Sequence, residues 1–264
     1  YKTKKRRHSF IYMNLFKYKI PLEALPHQAK KIIKQKVIES EFIDSNNCST
    51  LIEEEAIGDG IYKNREQSYF VKCTTEMLNV TPEMIRWWFV WHLPSSERYK
   101  LWHPRDHISA RLNEEGICLQ FKDKYIGVDS FVEEYIGKKL QKLQISFKEP
   151  SLFGLVNQED SVAICAYVTD TNTGVRVAKF LHYVSKTERG SVMNSFFWMG
   201  SDMSHPNSFK NFILTNLTKI KPIKGLFLND DSVLDLLIHC YEEMNHLSKI
   251  LPHLYKEFAE VQTK

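Results

Sequence analysis

The stretch SVLDLLIHCYEEMNHLSKI, residues 232–250, decides the architecture because its apolar residues recur every three or four positions. Residues at that spacing lie on one side of an α-helix, so the segment predicts a long amphipathic helix with one buried stripe. Pro252 lacks the backbone N–H that a helix interior needs, so we expect a kink or a break there. The stripe consists of Val233, Leu236, Leu237, Cys240, Met244 and Leu247, and continues through Leu251, Leu254 and Phe258.

The region between residues 107 and 200 has a different pattern, in which short β-rich runs are separated by turn residues such as Gly116 and Gly190. Closely spaced strands with short connections favour an antiparallel sheet. Together with the helix, they predict an α+β fold in which a curved antiparallel sheet packs around the C-terminal helix and leaves a ligand cavity between them. The predicted strands are 107–112, 117–121, 125–136, 143–148, 162–168, 175–185 and 192–199.

The N-terminal third is predicted to be mainly helical. Residues 22–43 are interpreted as a helix and residues 44–50 as a polar loop. Thr81-Pro82-Glu83 is typical of a helix start, because threonine can cap the helix and proline suits its first turn. We expect two units: residues 1–54, a basic tail with a helical segment, and residues 55–264, the domain that contains the sheet and the C-terminal helix.

The composition is that of a globular protein, with 43% hydrophobic and 26% charged residues. No apolar run approaches the roughly 20 residues of a membrane-spanning helix or resembles a secretory signal, so we expect a cytoplasmic protein with no membrane partner. The five cysteines lack CxxC spacing, which argues against a disulfide framework and a cysteine zinc site. Much of the net charge of +4 lies in basic residues at positions 2–7, and gives no reason to expect a nucleic-acid partner.

Two pairs of adjacent glutamates can be separated by periodicity. In the predicted strand 125–136, Glu134 shares a face with apolar residues and Glu133 does not, so Glu134 is expected to point at the core. In the C-terminal helix, Glu243 lies near the apolar stripe and Glu242 lies nearly opposite it, so Glu242 is expected to face solvent. A buried carboxylate needs a cation, a metal ion or strong hydrogen bonds.

Histidines and tryptophans supply the other candidate site residues. His182 shares a strand face with Phe180 and is expected to point inward, either as a metal ligand or as a satisfied core residue. The segment RYKLWHPRDH, residues 98–107, contains two histidines close to a cluster of tryptophans, which suits either a pocket for a planar ring or ordinary core. Inward histidines and glutamates together predict a zinc site, although no local motif such as HExxH is present.

Five stretches of this chain resemble the diacetylphloroglucinol hydrolase family, which includes phloretin hydrolases. The family has a helix-grip fold related to START and Bet v 1 proteins. The resemblance implies a zinc ion bound by His107, Glu134, His182 and Glu243, with His103 as a rival to His107. The chain departs from the family pattern at Asn194, where an arginine is expected. The matching stretches are TPEMIRWWFVWH (81–92), RYKLWHPRDH (98–107), EYIG (134–137), HYV…GS…SFFWMG (182–200) and HCYEEMNHLSKILPHLY (239–255).

The resemblance implies hydrolysis of the carbon–carbon bond between a polyhydroxylated aromatic ring and an acyl group, in a small phenolic ketone of the acylphloroglucinol or dihydrochalcone type. Tyr99 and His103 would transfer protons, and Trp88 and Trp91 would contact the substrate. The alternative is a non-catalytic helix-grip carrier of a hydrophobic small molecule, which would not need four metal ligands. The sequence leaves open whether the protein forms a homodimer.

Overall fold

A single nine-stranded sheet forms the body of the protein. The computed structural model describes residues 14–53, 57–120, 124–156, 160–218 and 228–259. The strand order is β1-β2-β3-β9-β8-β7-β6-β5-β4, and every neighbouring pair is antiparallel except β1 and β2. The strands are β1 (Ile38–Glu39), β2 (Gly60–Lys63), β3 (Tyr69–Leu78), β4 (His107–Leu112), β5 (Asp129–Ile136), β6 (Lys139–Lys148), β7 (Ser161–Asp170), β8 (Val175–Thr187) and β9 (Gly190–Ser204).

The curved sheet packs around one long helix, which confirms the predicted α+β helix-grip architecture. That helix lies against β3 and also contacts the two helices that follow β3. It starts at a capping box, in which the Asn229 side chain accepts the Ser232 backbone N–H. The helices are α1 (His27–Ile32), α2 (Cys48–Glu53), α3 (Pro82–Trp91), α4 (Ser96–Trp102), α5 (Glu114–Gln120), α6 (Ser208–Thr218) and α7 (Asp230–Phe258).

The apolar stripe of α7 forms the centre of the core, as its spacing predicts. Val233, Cys240, Met244 and Leu247 have no exposed surface. Of the kink or break expected at Pro252, the break is wrong, because α7 continues to Phe258, and the kink stays a prediction. Tertiary packing holds the last turns in place: the Phe258 ring stacks on Trp91 at 5.4 Å. The packed turns offset the hydrogen bond that proline cannot make.

The N-terminal third differs most from the prediction. The helix expected over 22–43 is confined to α1, and β1 follows it. β2 and β3 are additional strands that the sequence pattern did not predict, although burial alternates along the second half of β3. The helix predicted after Thr81 is confirmed, and the Thr81 hydroxyl accepts the Met84 N–H. The basic tail lies outside the described residues, and the division at residue 54 stays a prediction.

The other predicted strands correspond to real strands, with one exception. β4 has the predicted bounds of 107–112, whereas the strand predicted at 117–121 is wrong, since this segment belongs to α5. The side chain of Asn113 accepts the Gly116 N–H at 2.7 Å and so satisfies a free donor at the start of that helix. Of the helices in the described ranges, none combines the length and apolar character needed to cross a bilayer.

Candidate metal centre and substrate cavity

A cavity of about 600 Å³ lies between the sheet and α7. Its wall combines apolar side chains from five strands and from α3, α4 and α7 with a small number of buried polar groups. Such a combination is typical of a small-molecule site, because the apolar wall binds and the polar groups orient the ligand. The site residues predicted from the sequence that line it are Tyr99, Glu134, His182 and Glu243.

Three buried side chains and the part-buried Glu134 meet beside this cavity. His107 Nε2 lies 3.5 Å from Glu134 Oε2 and 3.6 Å from Glu243 Oε2. It also lies 3.3 Å from His239 Nε2. We call His107, Glu134, His239 and Glu243 the four-residue cluster. His107 and Glu134 are cross-strand partners on β4 and β5, whereas His239 and Glu243 lie one turn apart on α7.

The tautomer of His107 leaves a nitrogen lone pair directed at the other members of the cluster. His107 Nδ1 lies 3.0 Å from the backbone carbonyl of Tyr99, so Nδ1–H donates to it and Nε2 keeps its lone pair. That lone pair faces oxygens of Glu134 and Glu243, and burial, reinforced by the nearby His239, holds the pKa of His107 well below its usual range. Burial raises the pKa of Glu243 well above its usual range, so this carboxyl group resists ionisation unless a proton or a metal ion compensates the charge.

The distances within the cluster suit zinc. Zinc binds imidazole nitrogen at about 2.0–2.1 Å, and two ligands of a tetrahedral ion are then about 3.3–3.4 Å apart. The two imidazole nitrogens are 3.3 Å apart, and the closest carboxylate oxygens are 3.5 and 3.6 Å from His107. His107, His239 and Glu243 also offer three ligand atoms that all lie within 4.8 Å of one another. Glu134, the fourth residue of the cluster, lies next to this group, with its Oε2 3.5 Å from His107 Nε2.

Tyr99 connects the cluster to the cavity. Its ring stacks on His107, with centroids 3.9 Å apart, and its hydroxyl donates to Glu134 Oε2. Burial and the charge of Glu134 raise the pKa of Tyr99 well above its usual range. The phenol therefore keeps its proton at neutral pH and can act as a hydrogen-bond donor in the wall of the cavity.

His103 lies behind the cluster and does not line the cavity. Its Nδ1 accepts the Asp106 backbone N–H at 3.1 Å, so Nε2 carries the proton and donates to Glu242 at 3.3 Å. Its ring stacks on His239 at 4.5 Å, and His239 Nδ1 faces Asp106 Oδ2 at 3.7 Å. His103 thus packs against a member of the cluster, in a position to orient it rather than to meet a substrate.

The expectation that Glu242 faces solvent is wrong. Its side chain is only 15% exposed, because the loop after α4 covers this side of α7. Arg105 donates to Glu242 Oε2 at 2.5 Å and also to both carboxylate oxygens of Asp106. Glu242 therefore belongs to a charged network beside the cluster. The other glutamates lie as predicted, since Glu133 is 39% exposed and pairs with Lys142.

His182 points inward as predicted, but the structure does not bring it into the cluster. Its Nδ1 lies 2.8 Å from Ser195 Oγ, and rings of Phe89, Phe180 and Phe197 surround it. Burial lowers its pKa to about 3. The groups of potential metal ligands in the described part of the chain contain His239 and do not contain His182. The one signal for His239 in the sequence is its position one turn before Glu243.

The tryptophans expected to contact substrate lie outside the cavity wall. Trp88 and Trp91 are fully buried in the core, where Trp91 stacks on Trp87 at 5.0 Å. Phe89 of α3, His92 just after it, and Trp102 of α4 line the cavity instead. Asn194 also lies away from the cavity, on the outer side of β9, where its side chain accepts the Thr74 hydroxyl. The asparagine at position 194, where the family pattern has arginine, therefore does not alter the residues of the cavity wall.

Comparison with known proteins gives two related hydrolases. The chain is 29% identical over 208 residues to a 2,4-diacetylphloroglucinol hydrolase of a Pseudomonas species, which covers 74% of this chain and 67% of that protein. It is 29% identical over 193 residues to phloretin hydrolase of Eubacterium ramulus, which covers 70% of this chain and 66% of that protein. The chain thus spans about two thirds of the length of these curated relatives.

Structural comparison gives similarities with low scores. The solved structure of Ara h 8.0201 has a TM-score of 0.35 and 9% sequence identity, and the match covers 65% of this chain and 99% of that one. The family model described as the DAPG hydrolase PhiG domain matches residues 41–256, which is most of the sequence. The resemblance found in the sequence motifs is therefore confirmed, and the chain belongs to the DAPG hydrolase PhiG domain family.

Proposed function

We propose that this protein is a zinc-dependent hydrolase that cleaves the carbon–carbon bond between a polyhydroxylated aromatic ring and an acyl group. The relatives are named as hydrolases of 2,4-diacetylphloroglucinol and of phloretin, which supports phenolic ketones as the substrate class. The observation that carries the proposal is the four-residue cluster in the wall of an apolar cavity.

The proposed ligands of zinc are His107, Glu134, His239 and Glu243. This set replaces His182, which the family resemblance implies, by His239, whose Nε2 faces the other members. Two imidazoles and two carboxylates are a donor set that zinc accepts. When bound, the metal ion supplies Lewis-acid polarisation of a carbonyl group. Since His239 Nδ1 faces Asp106, the network of Arg105 and Asp106 supports the ligand from behind.

The reaction is ring–C(=O)–R plus water to ring–H plus R–COOH. The ring carbon gains a proton, and the acyl carbon gains the oxygen of water. We assign the proton transfer to Tyr99, whose hydroxyl lies at the cavity wall and is oriented by Glu134. The apolar wall around it, which includes Phe89 and Phe180, excludes bulk water and so strengthens electrostatic interactions at the cluster.

The test combines metal analysis with product analysis on the full chain. We expect about one zinc ion per chain, and conversion of 2,4-diacetylphloroglucinol or phloretin to a deacylated phenol and a carboxylic acid. A chelator should abolish turnover, and added zinc should restore it. Full activity in metal-free protein would refute the metal assignment. Tight binding of these compounds without products, across a panel of acylphloroglucinols and dihydrochalcones, would favour a carrier.

A further inference from the structure

His92 is a second cavity histidine whose proton position the structure fixes. It follows the last residue of α3, and its Nδ1 lies 2.6 Å from the backbone carbonyl of Trp88. A carbonyl oxygen can only accept, so the proton is on Nδ1 and Nε2 keeps a lone pair. His92 is 2% exposed and lines the cavity.

The surroundings of His92 leave this lone pair without an evident donor. Aromatic rings pack around it: Trp88 at 4.8 Å, Phe89 at 5.4 Å and Trp102 at 5.3 Å between centroids. Within the part of the chain that the structure describes, no hydrogen bond reaches His92 Nε2. His92 lines the cavity, so this acceptor is open to a ligand there, and a ligand that brings an O–H group can donate to it.

The position of His92 relative to the cluster indicates which part of a ligand it meets. The ring of Tyr99 stacks on His107 on one side and lies 6.2 Å from His92, nearly parallel to it. His92 therefore lies one aromatic ring away from the cluster. Because one ring separates them, a ligand whose acyl group lies at the cluster can place a hydroxyl of its own ring near His92.

We propose that His92 accepts a hydrogen bond from a phenolic hydroxyl of the bound ring and so selects ring-hydroxylated ligands. The choice of a phenol as the ligand rests on the proposed function. The claim that His92 offers a hydrogen-bond acceptor to the cavity rests on the geometry of His92 alone. Alkylation of the hydroxyl removes the donor and leaves the ring. The inference therefore predicts that His92 discriminates a phenol from its methyl ether.

The experiment measures binding of phloroglucinol and of 1,3,5-trimethoxybenzene to the zinc-loaded full chain by calorimetry. We expect His92→Phe to weaken phloroglucinol binding by about 3- to 10-fold, the usual effect of one hydrogen bond, and to leave binding of the ether unchanged. His92→Gln keeps an acceptor on a side chain of similar reach and should recover part of the loss. Phe89→Leu, a matched change in the neighbouring apolar wall, should affect both compounds equally.

Equal losses for the two compounds in His92→Phe, or no loss for phloroglucinol, would overturn the proposal, as would wild-type protein that does not bind phloroglucinol. The unmodified protein offers a further measurement: the ¹⁵N signal of His92 Nε2 should shift when phloroglucinol is added and should not shift with the ether. The two proposals can fail separately. If the protein does not hydrolyse phenolic ketones, product analysis shows no products, whereas the preference of His92 for the phenol over its ether is still seen in the binding measurement.

Discussion

Replacement of His239 by phenylalanine, compared with the same change at His182, separates two possible sets of metal ligands. Both side chains are buried, and both changes keep a planar ring while they remove the nitrogens. We expect His239→Phe to yield protein depleted in zinc. His182→Phe should keep its zinc, because phenylalanine rings already surround that position and its polar contact is with Ser195 rather than with the cluster.

The size of the effect follows from the geometry of the cluster. His239 Nε2 lies 3.3 Å from His107 Nε2 and 3.9 Å from Glu243 Oε2, close to the separation of two ligands on one zinc ion. The loss of a residue that only orients a ligand lowers metal affinity by about 10- to 100-fold. Loss of a ligand should cost at least about 1.4–2.8 kcal/mol of binding free energy, since each factor of ten is 1.4 kcal/mol.

The assay is zinc quantitation after dialysis against a series of chelator-buffered zinc concentrations, with circular dichroism to establish that both variants are folded. The expected result is a binding curve shifted by a factor of ten or more for His239→Phe and a shift of less than about threefold for His182→Phe. A large shift for His182→Phe with normal binding by His239→Phe would refute the geometric assignment and restore the ligand set implied by the family motifs.

Three further outcomes are expected. Glu134→Gln should lower zinc affinity by roughly tenfold or more, whereas Glu133→Gln should not change it. The reverse result in zinc titrations would show that the wrong face of β5 has been assigned to the metal site. Trp91→Ala should lower the free energy of unfolding by about 3–5 kcal/mol in urea titrations without loss of zinc affinity, because the indole is 1% exposed and packs on α7; a cost below about 1 kcal/mol would contradict that packing. Burial lowers the pKa of His92 to about 3, so the unfolded chain binds the proton more tightly, and stability that is present above pH 6.5 is lost as the pH falls towards 3. Through His92, the free energy of unfolding should fall by about 2 kcal/mol when the pH is lowered from 8 to 5. In melts at these two pH values, His92→Phe should lose correspondingly less stability than the unmodified protein.

Several features of the fold follow from the sequence because they depend on local periodicity. The apolar spacing over residues 232–250 predicts α7 and its buried stripe. Alternation along β5 predicts the difference between Glu134, which is 12% exposed, and Glu133, which is 39% exposed. The start of α3 follows from Thr81 and Pro82, whose roles at a helix terminus are set by their own covalent structure. These features do not require knowledge of what packs against each element.

The tertiary structure decided the features that depend on a neighbour from elsewhere in the chain. The periodicity of α7 predicts that Glu242 is exposed, and only the loop that contains Arg105 and Asp106 buries it. Likewise, β8 directs His182 inward, but α7 places His239 opposite His107. Both histidines are buried, so burial does not distinguish them. The distance between atoms on β4 and α7 does, and no spacing within a single element encodes that distance.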